Sequence, residues 1–180
     1  TRIKMANRVS EAVLNEAEAF NAVSALCEGY GYSSEAFADA WKNVLFNHFH
    51  DIIPGSGIID TREYSMGLFQ KTMAIANNRR NMSVRSIASK IDTSRFINEN
   101  EDLKESTSEG AGVGFGIKDF KITQCGRSRG KVRVFNFFNS SPFARSETAE
   151  VVVWDWKGDI NRIVFKDGDG NTAEHQLLDY

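Results

Sequence analysis

The sequence predicts an α+β fold, in which a three-helix antiparallel bundle is followed by a partial antiparallel β-sheet or sandwich. Up to about residue 91, apolar residues recur at the spacing of helices, whereas from about residue 131 the pattern alternates as in strands. The stretch between them is polar and rich in glycine. We therefore expect a bundle over residues 1–95, a linker over 96–125 and the start of a C-terminal β-sandwich domain over 126–180.

The composition is that of a soluble globular protein. The 180 residues suffice for one ordinary domain or two small ones, and the net charge of -2 gives no long-range attraction for nucleic acid or anionic membranes. No apolar run approaches the roughly 20 residues of a membrane helix. Cys27 and Cys125 lie far apart without CxxC spacing, so two free thiols are favoured over a disulfide. Neither nucleic acid nor a membrane is an expected partner.

The first helix should run from about Ile3 to Leu26. One apolar stripe with spacings of three and four predicts its buried face, formed by Val9, Val13, Ala17, Phe20 and Val23. Gly29 and Gly31 should end the helix, since glycine adopts the left-handed cap at little cost.

The second helix should begin at Ser33 or Ser34 and reach about His50, because Pro54 and Gly55 then prevent its continuation. It has two apolar sides, one formed by Phe37, Trp41, Val44 and His48, the other by Phe46, Phe49 and His50. A helix that is apolar on two sides packs between two neighbours. The first helix accounts for one neighbour, and the other need not belong to this chain.

The third helix should begin near Asp60 or Thr61 and extend toward Ile91. Its predicted stripe is interrupted by Arg80, and the Asn77-Asn78 pair marks a point where the helix could bend; the stripe comprises Phe69, Met73, Ala76, Val84, Ile87 and Ile91. Short connections between the three helices favour an antiparallel bundle.

The stretch of residues 98–116 is polar and contains four glycines. Its GAGVGFG segment lacks both the G-x-G-x-x-G and the Walker spacing, so a flexible or extended segment is favoured over a phosphate loop. Beyond it, strands are expected over residues 132–138 and 148–156, and near 162–165 and 174–178. Residues 166–170 should form a hairpin turn between the last two, which is favoured over a calcium loop.

The segment from Asn47 to Gly57, NHFHDIIPGSG, is the densest in reactive side chains. It places His50 and Asp51 at a helix end just before a forced break, where side chains can converge on a ligand. Imidazole is a common zinc ligand, and a neighbouring carboxylate can orient it or bind a substrate hydroxyl. The simpler alternative is that His50 interacts with the helix dipole and Asp51 caps a turn. His48 is expected to be a hydrogen-bonded core histidine.

A complete metal site is not apparent. His48 and His50 would point about 200° apart on a helix and could not chelate one ion. His175 has no ligand pattern around it, and a catalytic zinc needs about three protein ligands. Asp155 and Asp159, which flank Trp156, could face carbohydrate, although turns commonly carry such residues. Either there is no metal, or the other ligands lie outside this sequence.

The segment LFNHFHDIIPGSG at residues 45–57 resembles glycoside hydrolase family 38, whose α-mannosidases carry N-x-F-H-D-x-x-P-G-S in a helical middle domain. The resemblance extends to NRVSEA and LNEAE in the first helix and to FADAWK before the motif. VFNFFNSSP at residues 134–142 resembles the first strand of the family's C-terminal β region. The similarity is strongest over residues 7–70.

This resemblance implies a fragment of a zinc-dependent, retaining hydrolase of terminal α-linked mannose. By position, His50 matches a zinc ligand and Asp51 a contact to the sugar hydroxyls. The remaining zinc ligands, the nucleophile and the acid/base belong in the family to an N-terminal domain, which we expect to precede Thr1. That domain would cover Phe46, Phe49 and His50, so these side chains should be exposed in this chain. The fragment should be inactive alone and bind zinc weakly at best.

The resemblance also implies a mannose-containing oligosaccharide as substrate, while a homo-oligomer is possible. The form of the motif leads us to expect a bacterial, cytoplasmic enzyme. Two alternatives carry no catalysis, namely a helical interaction module and a carbohydrate-binding module. An interaction bundle has no need of an imidazole and a carboxylate at a broken helix end, which favours the enzyme fragment.

Overall fold

The computed structural model describes residues 1–96, 131–153, 156 and 158–178. The helical part contains α1 (Arg2–Leu26), α2 (Ser34–Phe46) and α3 (Ile59–Ala88), followed by a short 3-10 helix at Ser94–Phe96. The three helices and the bounds of α1 are confirmed. The glycine-rich segment and all of the expected linker except Phe96 lie outside the described residues.

Helices α1 and α2 run in opposite directions. Trp41 Nε1 donates to Glu18 Oε2 at 2.9 Å, and His48 Nε2 lies 3.1 Å from Glu11 Oε1. The residue later in α2 or just after it thus meets the residue earlier in α1, as antiparallel neighbours require.

Helices α1 and α3 run in the same direction. Arg80 Nη1 donates to Glu16 Oε2 at 2.8 Å, and Asn21 Nδ2 donates to Ser83 Oγ at 2.9 Å, with sequence separations of 64 and 62 residues. A nearly constant separation means that both helices advance together. The bundle is therefore up-down-up, with α2 antiparallel to both neighbours, and α3 is one uninterrupted helix through the Asn77-Asn78 pair.

The apolar core lies where all three helices meet. Its buried side chains come from every helix and include Leu14, Ala17, Phe37, Ala40, Val44 and Ala76. Val13, Trp41 and Ile75 pack against it while remaining partly exposed. Burial of these apolar surfaces is the main stabilising term for the bundle.

The buried face of α1 differs from the predicted stripe. Ala17 and Phe20 are buried as expected, but Val9 and Val23 are 42% and 45% exposed. Polar residues take their places on the inward face, namely Asn7, Ser10, Asn21 and Ser24. Likewise α3 buries Ser65, Thr72, Ser83 and Ser86, whereas Ile91 is exposed. A stripe predicted from apolar residues alone therefore differs from the buried face of a helix when polar residues occupy core positions.

The buried polar residues hold the loop between α1 and α2 against the bundle. Asn21 Oδ1 accepts from Ser33 N–H at 2.8 Å, while its Nδ2 donates to Ser83 Oγ and to the Gly31 carbonyl. The Tyr30 N–H donates to Ser24 Oγ at 2.9 Å and to the hydroxyl of Ser86 on α3 at 3.0 Å. These bonds satisfy polar groups that would otherwise be costly to bury.

The C-terminal cap of α1 is not formed as expected. The left-handed residue is Glu28, with φ of 53°, rather than Gly29 or Gly31. Gly29 has a different requirement, because a Cβ there would overlap Ser86 Oγ and lie 3.1 Å from the Ser24 carbonyl oxygen. Close approach to α3, and not backbone conformation, accounts for this glycine.

The β part is smaller than predicted in the described residues. Strands β1 (Phe165–Lys166) and β2 (Thr172–Ala173) form one antiparallel pair, with Phe165 opposite Ala173. The turn expected at residues 166–170 is confirmed, with Gly170 at φ of 91°. The expected strands at 132–138, 148–153 and near 174–178 are not present, because a strand must be paired with another strand and no such pairing includes these segments in the described part of the chain. A sandwich stays a prediction.

Contacts between described residues connect the β part to the bundle. Phe138 packs edge-to-face on Phe20 of α1 at 6.1 Å between ring centroids, and Arg95 Nη2 donates to the Gly168 carbonyl at 3.2 Å. Cys27 is an exposed free thiol, and Cys125 lies outside the described residues. Within the described ranges, no helix has the length and hydrophobicity needed to cross a membrane.

Candidate functional site

The predicted site residues lie on a turn that follows α2. The helix ends at Phe46, four residues before the predicted end at His50. Past that point the backbone tightens, since the N–H groups of Asn47, His48 and Phe49 donate to carbonyls three residues earlier. Helix ends often tighten in this way because it satisfies their last free carbonyls. His50 and Asp51 therefore sit on a turn and not in the last helical turn.

The turn closes through a second set of backbone bonds. Both Ile52 N–H and Ile53 N–H donate to the Phe49 carbonyl, and Gly55 N–H donates to the Ile52 carbonyl. Gly55 has a φ of 77°, which only glycine adopts without strain. Together with Pro54, this glycine directs the chain into α3, as the sequence predicts.

His50 and Asp51 are both turned to solvent. Their side chains are 79% and 73% exposed, with His50 Nε2 3.5 Å from Asp51 Oδ2. The imidazole also lies against the Phe49 ring, with 4.3 Å between centroids. An exposed pair of this kind contributes little to stability. Both groups are accessible to a ligand or to another domain.

Asn47 and Ile52 anchor the two sides of the turn in the bundle. Asn47 is fully buried and its Nδ2 donates to the Ser65 carbonyl of α3 at 3.4 Å, while Ile52 is 8% exposed. The exposed His50-Asp51 pair is thus held between two buried residues. The turn is part of the folded bundle and is not a detached loop.

His48 is not the core histidine that its position in the apolar stripe predicted. Its side chain is 39% exposed, and its Nε2 lies 3.1 Å from Glu11 Oε1 on α1. Glu11 is a polar neighbour, but the contact lies at the edge of the bundle because the chain has already left the helix at Asn47. Glu11 was not predicted as a site residue, since only the fold brings it to the turn.

An open apolar pocket of about 750 Å³ adjoins Asp51. It is lined by residues of α2, the turn and the start of α3, namely Leu45, Phe46, Phe49, Asp51, Ile52, Gly57, Ile58 and Thr61. Phe46 and Phe49 are about half exposed, and Tyr64 packs edge-to-face on Phe46 at 5.8 Å. The exposure expected for Phe46, Phe49 and His50 is therefore observed.

The donor atoms at the turn suit one part of a zinc site. Imidazole nitrogen and carboxylate oxygen are both zinc ligands. The described residues contain no group of three or more histidine, cysteine, aspartate or glutamate side chains that could hold a metal ion. His175 lies instead in the hairpin, with its ring 4.9 Å from that of Phe165. The turn therefore presents one imidazole and one carboxylate, and the described residues add no third ligand beside them.

Two further carboxylates of the C-terminal part, Asp159 and Asp167, have local structural roles. Asp159 Oδ1 accepts from Asn161 N–H at 2.9 Å and caps the 3-10 helix Ile160–Arg162. Asp167 accepts from Asn171 Nδ2 and from the N–H groups of Asp169 and Asn171, and these bonds lower the pKa of Asp167. Asp155 lies outside the described residues.

The helical part of the chain matches a known protein family. Residues 1–87 match the family model described as the alpha mannosidase middle domain. No curated protein and no solved structure matches the chain. The matched range contains all three helices almost to the end of α3, together with the turn that carries His50 and Asp51.

Proposed function

Residues 1–87 belong to the middle-domain family of glycoside hydrolase family 38 α-mannosidases, and from that premise we propose that this chain is part of a zinc-dependent, retaining α-mannosidase. Its substrate is a mannose-containing oligosaccharide, from which the complete enzyme removes terminal α-linked mannose. His50 provides one zinc ligand, and Asp51 accepts hydrogen bonds from hydroxyls of the sugar. The single observation that carries the proposal is that both side chains are exposed on one turn, which buried residues hold to the bundle.

The zinc, when bound, supplies a positive charge that holds the hydroxyl oxygens of the sugar. His50 would donate its nitrogen lone pair, and its ring orientation would be restricted by the neighbouring Phe49 ring. Asp51 carries a carboxylate that can accept two hydrogen bonds from adjacent hydroxyls. Neither residue moves a proton or attacks the sugar in this proposal.

The other parts of the reaction come from an N-terminal catalytic domain of the same enzyme. A retaining glycosidase requires two carboxyl groups about 5 Å apart, one as nucleophile and one as acid/base. The exposed apolar residues around the turn support a covering domain, because a contiguous apolar patch beside a functional pair is typical of an interface. Phe46 and Phe49 would become buried against that domain.

Kinetics of the complete enzyme on an aryl α-mannoside test the substrate and the metal. A strong chelator should abolish hydrolysis, and added zinc should restore it. Asp51→Ala should lower kcat/KM by about 10- to 100-fold, the range for losing a hydrogen bond to a charged group. Asp39→Ala is the matched control, since Asp39 is an exposed carboxylate on α2 that pairs with Lys42.

Either of two results would contradict the proposal. Full activity after exhaustive removal of metal would exclude zinc, and an unchanged kcat/KM for Asp51→Ala would exclude the sugar contact. The isolated chain of residues 1–180 should show no hydrolysis of the same substrate at any zinc concentration.

A further inference from the structure

The position of the His50-Asp51 pair is set by the backbone of its turn. Both side chains are largely exposed, and their mutual contact is 3.5 Å long. Apart from the contact of the His50 ring with Phe49 of the same turn, the pair has no packing that could fix it to within the few tenths of an ångström that a ligand site requires. Whatever holds residues 47–52 therefore also sets where the imidazole and carboxylate lie.

Among the described residues, Asn47, His48 and Ile52 hold this turn to the bundle. Asn47 bonds to the Ser65 carbonyl of α3, Ile52 is buried, and His48 Nε2 lies 3.1 Å from Glu11 Oε1. The contact of His48 with Glu11 connects the turn to α1, and His48 precedes His50 by only two residues. It completes the attachment of the turn to both neighbouring helices.

The contact of His48 with Glu11 has little to contribute to folding. The two side chains are 39% and 25% exposed, and polar pairs at such positions add little stability. Arg8 Nη1 approaches the same carboxylate at only 3.8 Å, from a side chain that is itself mostly exposed. The more direct consequence of the contact is geometric, because it fixes the backbone next to the metal ligand.

We propose that Glu11 and His48 are positioning residues for His50 and Asp51. This inference rests on the proposed function and adds two side chains that touch neither zinc nor sugar. The 3.1 Å contact of His48 Nε2 with the Glu11 carboxylate holds the turn against α1 and thereby sets the position of His50. Loss of this contact leaves the fold intact and lets the turn shift.

Alanine and conservative variants of the pair in the complete enzyme test this role. Glu11→Ala and His48→Ala remove the contact, whereas Glu11→Gln keeps a polar oxygen and His48→Gln keeps a polar nitrogen at that place. Glu16→Ala is the matched control, since it removes another α1 carboxylate, one that accepts a 2.8 Å bond from Arg80 away from the turn. For each variant, kcat, KM, zinc content and Tm are measured.

The alanine variants should lower kcat/KM by about tenfold, the scale on which small displacements at a site act. Their Tm should fall no further than that of Glu16→Ala, and Glu16→Ala itself should keep normal kcat/KM. The glutamine variants should recover most of the lost activity. If the contact were purely structural, the alanine variants would change Tm, but kcat/KM would neither fall in them nor recover in the glutamine variants.

Normal kcat/KM in Glu11→Ala and His48→Ala would overturn the inference. If either variant does not fold, Glu11→Asp replaces it as the test. The shorter side chain draws the carboxylate back by one methylene, so this variant should also lower kcat/KM. Normal activity in Glu11→Asp would equally overturn the inference. His50→Ala, measured beside them, separates the two claims. Zinc lost in His50→Ala with full activity in the alanine variants refutes the positioning role alone, whereas zinc retained in His50→Ala refutes the proposed function.

Discussion

Gly29 lies so close to Ser86 of α3 that a Cβ at position 29 would overlap the serine hydroxyl. The same hydroxyl accepts a hydrogen bond from Tyr30 N–H at 3.0 Å. The loop after α1 and the last turns of α3 are therefore in direct contact, with no room for a side chain between them. This contact closes the end of the bundle at which α1 and α3 both finish.

Gly29→Ala should lower the free energy of unfolding by about 1 to 3 kcal/mol, as expected for overpacking. Ser86→Ala removes the overlapping oxygen, so the double variant should lose less than the sum of the two single changes. Urea unfolding followed by circular dichroism measures all three. Gly31→Ala is the control, because a Cβ at position 31 meets nothing within 4 Å. Strict additivity of the two changes would contradict the predicted clash.

Glu28→Gly should stabilise the chain by about 1 kcal/mol. Glu28 has a φ of 53°, a conformation that costs a residue with a Cβ about this much and costs glycine almost nothing. The midpoint of urea unfolding should rise while the slope stays constant. A lower midpoint would mean that the Glu28 side chain contributes more than its backbone conformation costs.

The positions of the helices could be predicted from the sequence because their signals are local. Pro54 and Gly55 mark the break after α2, and the apolar spacing of Phe69 and Ala76 lies within α3. The exact end of α2 could not be predicted, since backbone bonds of the turn and the burial of Asn47 decide it.

The inward face of α1 could not be predicted from periodicity. Asn21 and Ser24 are buried because residues from α3 and the α1–α2 loop satisfy them, and those partners are up to 62 residues away. The same limit applies to Glu11, whose contact with His48 exists only in the folded bundle. The strand candidates at 132–138 and 148–153 failed for a related reason, because alternation shows which residues suit a strand but not which strand pairs with it.

The hairpin turn should weaken in acid. The side-chain bond from Asn171 and the neighbouring backbone N–H groups lower the pKa of Asp167 below its ordinary value of 3.8. A lowered folded-state pKa means that the carboxylate supports the turn at every pH above 3.8 and loses this role as the pH falls through the lowered value. NMR measures this loss over a range from about pH 6 to about pH 2. The resonances to follow are the carboxyl of Asp167 and the amides of Asp169 and Asn171.

Asn171→Ala supplies the control for that titration. Without the Asn171 side chain, the pKa of Asp167 should move back toward 3.8 while the rest of the hairpin sequence is unchanged. A carboxyl group that titrates at or above the ordinary value in the unaltered chain would contradict the hydrogen bonds of the turn.

The zinc content of His50→Ala in the complete enzyme tests the central claim most directly, with His175→Ala as the control histidine outside the turn. Both proteins are equilibrated with the same limiting zinc, and bound metal is measured per mole of folded enzyme. The account predicts that His50→Ala loses most of its zinc and its turnover of an aryl α-mannoside, while His175→Ala keeps both. Full zinc occupancy and normal turnover in His50→Ala would contradict it.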